Sequence, residues 1–179
     1  MAALPAEFAW LSREGGPRIL IEALKLYGTL ETPGDASNPK ILDWAKEVGG
    51  GIKDIYTTDE IPWCGLFVAV CAVRSGWGVP KNPLWALSWG EWGRAVSRPM
   101  LGDVLVFRRN GGGHVGIYVG EDAARFYVLG GNQGDAVTII PIDKTRLVTA
   151  RRCPWRIAQP SNIRVIEIRT NQKASINER

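Results

Sequence analysis

The chain has 179 residues, a net charge of +4, 45% hydrophobic and 22% charged residues. Those proportions exclude a disordered or fibrous protein and fit one globular domain with a core of its own. Three cysteines, Cys64, Cys71 and Cys153, and one histidine, His114, exclude a disulfide framework and a recognisable zinc motif.

The opening stretch Met1 to Trp10 has no basic region followed by an apolar one, and the longest apolar run, Gly65 to Val73, is too short to span a bilayer. Synthesis in the cytoplasm without a secretory signal is the expectation. Apolar residues at Leu20, Ala23, Leu24 and Tyr27 predict a helix over 18–27 that ends at Gly28. Pro39 opens a second helix through Val48, closed by three glycines. A third, over 62–75, is apolar on every side and is predicted to be buried at the centre of the fold. A fourth helical piece, 84–94, carries Trp85, Trp89 and Trp92 at helical spacing, a pattern that favours core over groove.

After Pro99 the pattern becomes short runs rich in Val, Ile, Phe and Tyr: 103–108, 114–119, 125–129, 137–140 and 146–151. Helices followed by strands predict an α+β fold, N-terminal helices on a mostly antiparallel sheet of about five to six strands. The main domain is placed at 1–158, and 159–179 is read as a basic tail or one more strand. Between 144 and 179 there are nine Lys or Arg against two Glu, which suggests an anchor for an anionic wall or membrane surface or a solvated tail. A nucleic-acid reading ranks last, because that stretch lacks interleaved aromatics.

Cys64 stands in the first turn of the apolar helix, where the helix dipole and unpaired N–H groups favour a thiolate and could hold an oxyanion. Any Cys-His mechanism must use His114. It opens a strand on which His114, Gly116 and Tyr118 share one face and Val115, Ile117 and Val119 the other. Gly113 before it leaves room for a substrate backbone. The group that orients the imidazole is sought after the next strand, where Asn132 is preferred and Gln133 and Asp135 are alternatives. Trp63 is a candidate groove wall, and Arg108 and Arg109 are candidates for substrate carboxylates. Cys71 reads as a buried apolar residue, Cys153 as structural, and Asp103 as closing a local turn.

Four segments in order carry a family likeness: 62–68 (PWCGLFV), 102–107 (GDVLVF), 113–120 (GHVGIYVG) and 128–135 (VLGGNQGD). Together they resemble the CHAP and NlpC-type peptidoglycan amidohydrolases of the papain-like superfamily, especially a phage- and prophage-associated branch. The resemblance implies a papain-like core, Cys64 as nucleophile, His114 as base and Asn132 as orienting residue. It implies no metal or cofactor, and a monomer acting on bacterial peptidoglycan. An endolysin that reaches the wall through a membrane pore, or an injected enzyme, fits these expectations. CHAP domains often have a Glu two residues before the Asn; here that position is Gly130. Two other readings are a wall glycosidase using carboxylates among Glu7, Glu14, Glu22, Asp59 and Glu60, and an inactive wall-binding or particle-structural module.

Overall fold

The computed structural model describes residues 2–34, 36–155, 158–169, 172–176 and 178. Four α-helices come first: α1 (Arg18–Leu24), α2 (Pro39–Val48), α3 (Ile52–Ile55) and α4 (Cys64–Arg74). Six strands follow: β1 (Arg94–Val96), β2 (Val104–Arg109), β3 (Gly112–Glu121), β4 (Arg125–Gly130), β5 (Thr138–Asp143) and β6 (Leu147–Arg152). They form one antiparallel sheet in the order β1-β6-β2-β3-β4-β5. Short 3-10 segments occupy Ala6–Arg13, Ala86–Glu91 and Lys144–Arg146. The α+β class holds, with helices preceding an antiparallel sheet.

Local chemistry accounts for the helices. The Asn38 side chain caps α2 by accepting from Lys40 N–H, Pro39 fills the first helical position, and Gly49 ends the helix at φ 76°. In α1 the helical ladder stops at Leu24; Leu26 and Tyr27 donate three residues back instead, and Gly28 turns the chain at φ 79°. The piece expected over 84–94 is a six-residue 3-10 segment. Its Trp89 and the following Trp92 are buried, with ring centroids 5.5 Å apart, whereas Trp85 is exposed.

From Cys64 to Ala72 every residue of α4 is buried. This helix contacts α1, α2 and β3, and so forms the centre of the molecule. Gly65 permits a close approach: the Pro83 and Leu84 carbonyl oxygens lie where its Cβ would be.

The sheet separates two apolar faces. Val104, Val106, Val115, Ile117 and Leu129 join the large core with α4. Leu105, Phe107, Tyr118, Phe126, Val128 and Ile142 form a smaller cluster on the other face. Val106 is opposite Val115 and Phe107 opposite His114; directly paired residues share a face. His114 therefore leaves the sheet on the side away from the body of α4. Below it, Asp103 binds Arg152 through two contacts of 2.7 Å, with both side chains buried. Asp103 also accepts from Met100 N–H, closing the turn before β2.

The segment after β6 lies along the body. Ile163 and Ile168 are buried, Asn162 donates to Gly16 O, and Glu167 and Ser175 bridge to Glu121 and Ile142. Basic residues from 144 onward have internal partners: Lys144 binds Glu121, Arg146 binds Glu178 and Arg164 binds Glu14. Among the described residues, no helix is long and apolar enough to cross a membrane.

Candidate active site

The Cys64 thiol lies where α4 begins, and the backbone N–H groups of Val115, Gly65 and Cys64 itself favour its charged form. Val115 follows His114 on β3, so the helix entrance meets the strand one residue from His114, whose side chain leaves from the other face of the sheet. Gly131, beyond β4, closes this corner: Phe67 and Trp63 fill the space its Cβ would need. Burial pushes the thiol above its ordinary range, although the three N–H groups and the Arg109 charge act in the opposite direction. With Cys64 only 4% exposed, the closed site holds a neutral thiol. Entry of water or substrate removes part of the desolvation penalty and leaves the N–H groups and Arg109 to favour the thiolate.

His114 is 1% exposed, and its Nε2 is 2.9 Å from Gln133 Oε1. The Gln133 amide is oriented by its other end: Nε2 donates to Thr138 O at 2.7 Å and to Val128 O at 3.3 Å. Its oxygen must then face the ring, so His114 Nε2 carries the hydrogen and Nδ1 keeps a free lone pair. Nδ1 is the nitrogen able to accept a proton. Burial lowers the imidazole to about 4; Glu178 and Gln133 oppose this, while Arg109 and Arg146 add to it. At neutral pH the ring is uncharged, and burial makes it a weaker base than a free imidazole. Among the described residues, no hydrogen bond joins the sulfur to the imidazole.

The side chain hydrogen-bonded to the His114 ring is that of Gln133, an alternative to the preferred Asn132. Asn132 adopts φ 56° and directs its amide toward Glu31, at 3.4 Å. The next side chain, longer by one methylene, reaches back over Gly130. The space a Gly130 Cβ would occupy is taken by Gln133 Oε1 and His114 Nε2, so an acid at that position would collide with the pair.

Two substrate-binding expectations also change. Trp63 is fully buried, donates to Glu31 Oε2 at 2.8 Å and packs on Trp44 with centroids 5.9 Å apart, which makes it core and not a groove wall. Gly113 is buried against Leu87, so its missing side chain serves packing rather than a substrate backbone. Arg109 remains at an opening: with Arg108 and Arg146 it lines a cavity of about 650 Å³ at the ends of β2 and β3.

No family model and no curated protein matches this chain.

At least three of the five carboxylates considered for a glycosidase have partners within the fold. Buried Asp59 accepts from Thr32 and Asn38 N–H, Glu22 binds Lys25, and Glu14 binds Arg164. Cys71 is fully buried in the middle of α4 and Cys153 is buried after β6, consistent with structural roles. No group of three or more His, Cys, Asp or Glu able to hold a metal occurs among the described residues.

The lowered His114 value has a consequence for stability. The folded ring takes its proton near pH 4 and the unfolded ring near 6.5, so between these values the unfolded chain binds more protons. Stability should fall as pH drops from about 6.5 toward 4, by on the order of 3 kcal/mol from this one group. Urea unfolding of the wild type and His114→Gln at pH 7 and pH 4 checks this. The variant should lose less stability on acidification.

Proposed function

We propose that this protein is a cysteine amidohydrolase that cleaves an amide bond in bacterial peptidoglycan, with Cys64 as nucleophile, His114 as base and Gln133 orienting the base. The observation that carries the reading is the Gln133 amide. Held by two backbone carbonyls, it fixes the hydrogen on His114 Nε2 and leaves Nδ1 as the basic nitrogen, on the residue that precedes the strand amide acting on Cys64. Peptidoglycan as substrate class, and a phage-type lysis enzyme as biological setting, rest on the four ordered motifs that resemble CHAP and NlpC-type enzymes.

In the reaction, His114 Nδ1 takes the thiol proton as the sulfur adds to the amide carbonyl carbon. The free N–H groups at the start of α4 stabilise the oxyanion. The tetrahedral adduct collapses, the C–N bond breaks, and the amine leaves with the proton from the imidazolium. Water, deprotonated by the same ring, then attacks the thioester and releases a carboxylate and the thiol. In this arrangement the imidazole and the sulfur belong to opposite faces of the sheet, so proton transfer requires the backbone around His114 to rearrange and bring Nδ1 to the sulfur; catalytic contacts commonly tighten only when substrate is bound.

Purified walls digested with the protein should gain free amino groups and carboxylates without new reducing ends. New reducing ends without new amines would replace this reading with a glycosidase.

A further inference from the structure

We propose that Arg109 and Arg146 form a carboxylate subsite beside His114, and that Glu178 fills it as an internal stand-in for a carboxylate of the peptide substrate. The inference rests on the hydrolase reading above and goes further by naming the chemical group that the substrate must carry.

A bound carboxylate is already present in the subsite. Both Glu178 oxygens accept from Arg146, from Nη1 and Nη2, each at 2.7 Å, and the Glu178 side chain has no exposed surface. Paired, parallel N–H donors from one guanidinium match the two oxygens of a carboxylate. Arg146 is itself anchored: its Nε donates to Arg108 O at 3.1 Å, and Nη1 also donates to Ser175 O at 3.1 Å. The backbone oxygen of Glu178 accepts from Gly134 N–H at 3.3 Å, which seats the residue against the loop that carries Gln133. Although burial works against its charge, the Arg146 bonds and the nearby His114 hold the Glu178 carboxyl below its ordinary value. Glu178 and His114 therefore occupy one neighbourhood.

Arg109 supplies the unfilled half. Its Nε is buried and has no hydrogen-bond partner, an arrangement that costs free energy unless a ligand provides an acceptor. Its charge reaches both the Cys64 sulfur and the His114 ring. The cavity shared by Arg108, Arg109 and Arg146 has room for a peptide end. The acid in the cavity lining, Asp143, is already satisfied by the Thr145 N–H and hydroxyl, and Glu178 lies behind Arg146 without exposed surface. A free carboxylate on the peptide that carries the scissile amide is thus the group this pocket selects, and it would displace Glu178.

The test uses soluble stem-peptide fragments prepared as free acids and as carboxamides, with amine release followed for the wild type, Glu178→Gln and Arg109→Gln. The wild type should cleave the free acid about tenfold or more faster than the carboxamide at low substrate. Glu178→Gln should lower KM for the free acid several-fold, and Arg109→Gln should shrink the acid-to-amide ratio. Equal handling of acid and amide by both the wild type and Glu178→Gln overturns the subsite. If no variant cleaves either peptide, the hydrolase reading fails instead. Calorimetric binding of both peptides to Cys64→Ala then decides the subsite alone: preference for the acid supports it, and equal or no binding overturns it.

Discussion

Replacing Cys64 with alanine is expected to reduce amide hydrolysis of purified walls by about 10⁴-fold, while the protein folds as before. The sulfur sits at the entrance of α4 among three backbone N–H groups, and neither Cys71 nor Cys153 has a comparable setting. Cysteine to alanine at a buried position removes one atom and little packing. His114→Ala should fall by a similar factor, because it is the chain's only imidazole. Combining the two should cost little more than either alone, since the groups act in one step. Gln133→Ala should be milder: Nε2 loses its acceptor, the tautomer is no longer fixed, and the base is present but misdirected part of the time. Release of amines from wall suspensions, normalised to folded protein, measures all four. Wild-type rates in Cys64→Ala or His114→Ala would remove the mechanism.

The largest loss of stability is expected at the opposite end of the sheet. Arg152→Met leaves the Asp103 carboxylate 2% exposed with only Met100 N–H to satisfy it. Burial already pushes that carboxyl above its ordinary value despite Arg152, so loss of the guanidinium leaves a buried charge without its partner. Such single truncations cost about 3–5 kcal/mol, whereas replacing both partners by apolar groups is nearly neutral. For a domain of this size the loss corresponds to a fall of about 10 °C in Tm. The double variant Asp103→Leu/Arg152→Met should recover most of it. Thermal unfolding of the two single variants and the double variant checks the cycle, and equal Tm in all of them would show that the pair contributes nothing.

Much of the fold is legible in the sequence because its signals are local. Asn38, Pro39 and Gly49 mark α2 at both ends, and the unbroken apolar run from Gly65 to Val73 has no place except the centre. The alternation that puts His114 with Gly116 and Tyr118 on one face, and Val115 with Ile117 on the other, is the alternation observed. Strand β1 escaped because its three residues are largely exposed and carry no apolar pattern. The 3-10 segment at Ala6–Arg13 buries only Phe8 and Leu11 fully, too few for a period to emerge.

The site is harder to read because its details depend on contacts distant in sequence. The choice between Asn132 and Gln133 turns on a left-handed backbone at Asn132, which an asparagine tolerates and which rotates its amide toward Glu31. Nothing near Asn132 signals Glu31, 101 residues away. Trp63 beside a nucleophile resembles a groove wall until Trp44 and Glu31 are seen to enclose it. Glu178 at the Arg146 fork joins residues 32 apart, a pairing that composition does not reveal.

The most direct measurement is the mass of the Cys64-bearing peptide after the protein is mixed with wall fragments, quenched in acid within a turnover and digested. The account predicts a fraction of that peptide heavier by the acyl portion of the substrate, discharged by hydroxylamine and absent in His114→Ala. Steady release of amines with Cys64 never modified would contradict it.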